Sequence, residues 1–325
     1  MFTKSVLPAI HRCNSFTHSP TSSKSSCLPL YCEGHRVGSI RLKTPLCSWS
    51  HKNVITLYCF FFIFHCRPNV FEALEAEPSI FVINQDSSIQ FESRSAAERT
   101  SQVAMVLEKW RKQGTFEALS GWRNEVYPVV TEFGQTPLLT IERAAVGIFG
   151  FQAFGVHVNG HVEAAGGKPL RLWIARRSPQ KQMWPGYLDN FVGGGIPVGV
   201  GVRENLVKEC GEEAGVTPEL AARAVPVGAV SYVHDLPRGV YPETLFVYDL
   251  EVPADFVPVP ADGEVSEFTL WEPQEILARI LREEFQPESA LVTIDFLIRR
   301  GVITPETEIN YLAVVAGMHA KVTED

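Results

Sequence analysis

The chain has 325 residues, 45% of them apolar and 20% charged, an ordinary composition for a protein that folds in water, so disorder throughout is excluded. Its length suits two domains or one large domain with an extension. A formal net charge of −8 excludes a general nucleic-acid binder, which gains affinity by neutralising phosphates with clustered Lys and Arg.

The charge is unevenly spread. Residues 1–66 carry seven basic residues and one acid, Glu33, for a local charge of +6, and the remainder stands at −14. Six of the seven cysteines (Cys13, Cys27, Cys32, Cys47, Cys59, Cys66) fall in the same basic segment. No Cys-x-x-Cys pair occurs, so neither a zinc site nor a disulfide framework is signalled, and a reduced compartment follows. The first 25 residues hold Lys4, Arg12 and Lys24, many Ser and Thr, and no acid. Residues 1–28 therefore read as an organellar leader or as a disordered tail. The location is cytoplasmic on the second reading and mitochondrial or plastid on the first.

In chain order, Tyr31–Leu42 reads as a β-hairpin turning at Gly34. The apolar run Val54–Phe64 has eleven residues where a bilayer demands about 20, so no transmembrane helix is expected. That run sits within Ser48–Cys66, a Phe-rich stretch that interrupts the surrounding pattern and reads as a doubtful insert, such as a retained intron. Ser95–Gly114 is predicted as a helix, with Val103, Val106, Leu107 and Trp110 at helical spacing and Gly114 as its stop. A boundary near Glu142 divides an accessory domain over 29–142 from a second domain over 143–325. In the second, Val156, Val158 and Val162 alternate around Asn159-Gly160, which predicts a hairpin there. Strands follow at Arg171–Ser178, at Asp189–Pro197 running into a glycine loop, then a helix over Val202–Ala214 stopped by Gly215. Strands at 225–235, 244–252 and 262–271 and helices at 273–284 and 290–300 complete the chain. The order gives an α/β fold, a layered sandwich with a mixed sheet preceded by a smaller α+β N-terminal domain.

The chemistry concentrates in Gly193–Val216, where a glycine loop leads into an acid-rich helix. Glu209, Glu212 and Glu213 stand at i, i+3 and i+4 and share a face, whereas Val202, Leu206 and Cys210 form an apolar stripe for packing. Clustered carboxylates repel unless compensated, and oxygen donors suit a hard divalent cation such as Mg2+, with Mn2+ as a substitute. Three glutamates alone are equally the pattern of a solvated helix face.

Gly194 and the run Lys208-Glu-Cys-Gly-Glu-Glu-Ala-Gly-Val216 resemble the Nudix box, G-x5-E-x7-R-E-U-x-E-E-x-G-U with U apolar. Gly194, Glu209, Cys210, Glu212, Glu213, Gly215 and Val216 fit. The pattern's first Glu is Val200 here and its Arg is Lys208. The resemblance implies a Nudix α/β/α sandwich and metal-assisted attack of water on a small-molecule diphosphate, with neither nucleic acid nor membrane as partner. Cations held by Glu209, Glu212 and Glu213 would neutralise developing phosphoryl charge, with Lys208, Glu209 and Glu212 as the catalytic set. Val200 cannot accept a proton, so any assisting base moves to Glu204 or Glu264 or is absent.

The flanks, Arg176–Asn190, Asp262–Phe268 and Ile294–Gly301, are similar to one eukaryotic Nudix branch, which includes the domain fused to thiamine diphosphokinase in some fungi. That similarity implies hydrolysis of thiamine diphosphate analogues, such as oxothiamine and oxythiamine diphosphate, to monophosphates and phosphate, as metabolite repair. On this reading Arg176, Arg177, Lys181, Gly194 and Gly195 hold the substrate, and Glu264 adds a carboxylate to the metal site. Trp184 and Tyr187 either stack on a ring or pack in the loop. A hydrolase of ADP-ribose or dinucleotides, and a non-catalytic Nudix binding module, are the competing readings. His157, His161 and His234 carry no assignment.

Overall fold

The computed structural model describes residues 4–14, 27–32, 35–41, 70–85 and 88–320. The doubtful insert, Ser48–Cys66, lies outside these residues, as does the hairpin tip at Gly34.

The segment read as a leader or tail supplies a docked helix, α1 (Leu7–Cys13). Its Ile10 and Cys13 are fully buried among residues of the C-terminal helices. Glu308 fastens the entry, accepting from the Ser5 hydroxyl at 2.6 Å and from the Val6 N–H at 2.9 Å.

The N-terminal unit opens with strands β1 (Cys27–Cys32) and β2 (His35–Arg41), paired antiparallel as the hairpin reading expects. Helix α2 (Val70–Glu75) and strands β3 (Phe81–Ile83) and β4 (Ile89–Phe91) follow. They give a four-stranded sheet in the order β2-β1-β4-β3. Helix α3 (Ala96–Gln113) starts where the Ser95 hydroxyl accepts the Glu98 N–H and stops at Gly114, whose φ of +64° is left-handed. Its stripe of Val103, Val106, Leu107 and Trp110 is buried as the spacing predicts. Strands β5 (Val126–Val129) and β6 (Leu139–Glu142) pair antiparallel, and α4 (Val146–Phe149) follows. These elements share one core with Phe81, Leu119 and Phe149.

The second unit is built on strands β7 (Ala153–Val162), β8 (Arg171–Arg177), β9 (Leu188–Asp189) and β10 (Val192–Gly195). Helices α5 (Val202–Ala214) and α6 (Pro218–Ala221) come next. They are followed by β11 (Val225–Leu236), β12 (Gly239–Glu251) and β13 (Val265–Trp271). Helices α7 (Pro273–Leu281), α8 (Pro287–Arg299) and α9 (Tyr311–Gly317) end the fold. The sheet runs β11-β12-β7-β8-β13, with β10 added to β7 and β9 to β8. Leu206 and Cys210 of α5 pack on one face, and Ile276, Leu291, Phe296 and Ile10 belong to the core of the other. This is the expected α/β/α sandwich with a mixed sheet and a smaller N-terminal region.

The hairpin expected at Asn159-Gly160 does not form. Residues 153–162 are one strand, buried along its whole length, paired parallel to β12 and antiparallel to β10 and β8. The Asn159 amide reaches across to Asp249 at 3.0 Å. Gly160 is small because the Phe191 ring occupies the space a Cβ would fill.

Candidate active site

Strand β10 delivers its glycines to the end of the sheet where α5 begins. The Gly193 N–H donates to Glu213 Oε2 at 2.9 Å, and the Gly195 carbonyl accepts from Asn205 at 3.1 Å, so loop and helix are tied together. Gly194 has no room for a Cβ because the Glu209 carboxylate lies against it, and the Tyr127 hydroxyl imposes the same limit on Gly195. Glu204 caps the helix instead of joining the cleft, accepting the Gly201 N–H at 3.3 Å, and Val200 also stands outside the cleft lining.

On α5 the three glutamates separate by environment. Glu213 is 7% exposed, and burial pushes its carboxyl well above the usual range, with Asp189 and Glu209 adding repulsion. Burial also lifts Glu209, against the restraint of Lys208, while Glu212 is half exposed. The Lys208 ammonium bridges the two, 3.2 Å from Glu209 Oε1 and 3.0 Å from Glu212 Oε2. The carboxylates that converge most closely are Glu213, Asp262 and Glu264, each with an oxygen within 4.8 Å of the others. Asp262 accepts the Glu264 N–H at 2.8 Å, which fixes the turn that presents both. Burial opposes ionisation of Glu264, but its bond to the Lys181 ammonium and the charges of Lys181 and Arg123 outweigh it and hold the carboxyl low.

This donor set fits a hard divalent cation. It offers oxygen only, and Glu213 meets no Lys or Arg within ion-pair distance among the described residues, leaving charge that an ion of two positive charges would compensate.

Of the residues singled out in the sequence, Lys208, Glu209, Glu212, Glu264, Arg177, Lys181, Gly194 and Gly195 line one cleft, while Glu213 is buried outside that lining, bonded to the Gly193 N–H. Arg176 does not. Alternation along β8 turns it away from Arg177, and it pairs with Glu267 at 2.7 Å and the Gly186 carbonyl at 3.0 Å. Arg177 is already engaged, bonding Asp189 at 2.7 Å and the Met183 carbonyl at 2.9 Å, so it braces the loop that carries Trp184. Trp184 lines the cleft and lies nearly parallel to the His234 ring, 5.8 Å away, with Tyr187 edge-on to it.

The cleft also holds groups that no local pattern announces. Asp262 sits two residues before Glu264, in a flank that resembles the Nudix branch, but its own residue type there reads only as a turn acid. Glu243 on β12 accepts from the Tyr232 hydroxyl, and Glu288 opens α8; neither forms an ion pair with Lys or Arg among the described residues. Burial raises both, Glu288 to about 8 with the Glu243 charge contributing. His157 bonds Asn190 at 2.7 Å, and burial keeps its ring neutral-leaning. The N-terminal unit reaches in with Arg123, Glu125, Tyr127 and Arg143.

A glycine loop and an acid-rich helix of an α/β/α sandwich thus meet a carboxylate-bearing turn, which gathers oxygen donors at one place. Comparison with known families agrees. The NUDIX domain matches residues 153–295, and a domain of unknown function, DUF4743, matches residues 62–153. The chain is 36% identical over 245 residues to the uncharacterized protein YJR142W of Saccharomyces cerevisiae, covering 72% of this chain and 71% of that one. It is 47% identical over 213 residues to Nudix hydrolase 24, chloroplastic, of Arabidopsis thaliana, covering 65% of this chain and 56% of that protein. Nudix hydrolase 20, chloroplastic, of the same plant is 44% identical over 212 residues, with 65% and 55% covered. The chain thus spans a little over half the length of the two plant relatives. It carries a NUDIX domain behind a DUF4743 domain and is similar to Nudix hydrolases.

Proposed function

We propose that this protein is a divalent-cation-dependent diphosphohydrolase that acts on thiamine diphosphate analogues, such as oxothiamine and oxythiamine diphosphate, releasing the monophosphate and phosphate. The observation that carries the reading is that one cleft is lined both by carboxylates beside a glycine loop and by an aromatic pair. Asp262, Glu264, Lys181 and the glycine loop line it, with the buried Glu213 in reach of both acids, chemistry suited to a diphosphate and its cation. The same cleft is lined by the acids Glu243 and Glu288 and by the Trp184–His234 pair, chemistry suited to a cationic or amino-bearing heteroaromatic ring. Gln286, 3% exposed, lines the same cleft with its amide oxygen lacking a partner among the described residues, an acceptor available to an amino group.

Glu213, Glu264, Asp262 and Glu209 would hold the cation, which when bound neutralises charge building on the phosphoryl oxygens. Lys208 orients Glu209 and Glu212. Glu209, its pKa raised by burial, is placed to take a proton from the attacking water, the part that Val200 cannot play. Lys181 steadies Glu264 and adds positive charge near the leaving phosphate. Two relatives carry the word chloroplastic in their names, which supports a plastid location.

The test is phosphate release by the full chain from thiamine, oxothiamine and oxythiamine diphosphates, ADP-ribose and NADH, with Mg2+ and with EDTA. Mg2+-dependent preference for the thiamine compounds is expected. Preference for ADP-ribose or NADH would replace the substrate, and silence on every compound from folded protein would replace hydrolysis with ligand binding.

A further inference from the structure

Tyr127 belongs to β5 of the N-terminal unit, yet its side chain lines the cleft together with Gly194 and Glu209. The residue is 5% exposed, and its hydroxyl oxygen has no hydrogen-bond partner among the described residues. That hydroxyl stands directly over Gly195, in the space a Cβ there would take. The Arg143 guanidinium lies over the ring, 5.5 Å from its centroid, and is itself tied to Glu125 at 2.9 Å.

A buried hydroxyl left without a partner costs stability, and phenylalanine would fill the same volume without that cost. Among the described residues the donor is therefore left available to a group that enters the cleft. Burial and the surrounding acids Glu125, Glu243 and Glu209 raise the phenol further than Arg143 lowers it, so it remains a protonated donor at neutral pH. A donor suspended above a glycine loop, beside the carboxylates, matches the oxygen of a phosphoryl group lying on that loop.

We propose that Tyr127 binds the substrate directly, its hydroxyl donating a hydrogen bond to a phosphoryl oxygen of the diphosphate, so that the N-terminal domain completes the active site of the Nudix domain. The proposal rests on the diphosphohydrolase reading and adds a substrate contact from the accessory domain.

The decisive variant is Tyr127→Phe in the full chain, which removes one oxygen and keeps the ring. Three quantities are read: turnover on the preferred diphosphate, calorimetric binding of inorganic pyrophosphate with Mg2+, and melting temperature. The expected result is kcat/KM lowered at least tenfold and pyrophosphate bound at least fivefold more weakly, with the melting temperature unchanged or raised. Unchanged pyrophosphate binding overturns the proposal, as does absence of pyrophosphate binding by the wild type. A lowered melting temperature with binding intact assigns the hydroxyl a structural role and also overturns it. If the wild type turns over none of the diphosphates, the hydrolase reading fails, and the pyrophosphate comparison still decides the role of Tyr127.

Discussion

Lys208 sits between two glutamates one helical turn apart, and its ammonium is raised by both against the cost of partial burial. An arginine can make the same two contacts with its planar fork, so Lys208→Arg is expected to change kcat by less than about tenfold, whereas Glu213→Gln or Glu209→Gln lowers it at least a hundredfold, roughly what one main charge-stabilising group contributes. Steady-state kinetics with saturating Mg2+ checks all three. Glu288 carries the pH argument. Its carboxyl rises from an ordinary 4.5 to about 8 through burial and the Glu243 charge, so the folded state holds a proton that the unfolded chain releases. Stability from this group is full below pH 4.5 and is lost as pH rises to about 8. Glu288→Gln is therefore expected to raise the melting temperature more at pH 8.5 than at pH 5, in calorimetry with EDTA present.

Helix α5 was readable almost to the residue, because its apolar stripe, its acids and the stop at Gly215 with φ +64° are all local features. The same holds for α3 between Ser95 and Gly114. Strand β7 was misread because Asn159-Gly160 carries a strong local turn signal, while the parallel pairing with β12, about 90 residues away, and the Phe191 ring over Gly160 are invisible locally. Gly160→Ala is expected to destabilise by about 1–3 kcal/mol, since a methyl group must displace that ring in a filled core. Urea titration measures it. Gly194→Ala puts its methyl against the Glu209 carboxylate instead, so activity should fall by more than stability does.

Across the whole molecule, residues distant in sequence meet at two places. Helix α1 lies in the core beside α8 and α9, with Glu308 closing over its start. Ile10→Ala is expected to cost about 2–4 kcal/mol, the range for truncating a fully buried aliphatic side chain, read from chemical denaturation of the full chain. The cleft is the second meeting place, where the N-terminal unit and the Nudix sheet each supply walls.

By itself the sequence determined the Nudix domain, the sandwich, the acid-rich helix and the glycines that lead into it, because these rest on residues within one turn or one loop of each other. Glu264 and Lys181 were named from their surroundings in the chain, and they stand together in the cleft. Only the tertiary structure decided that Asp262 completes a carboxylate cluster, that Arg176 faces away, that Glu243 and Glu288 share the cleft, and that Tyr127 reaches the glycine loop. Each of those depends on which face of a strand a side chain takes and on which distant segment packs opposite, and neither is set until the sheet has assembled.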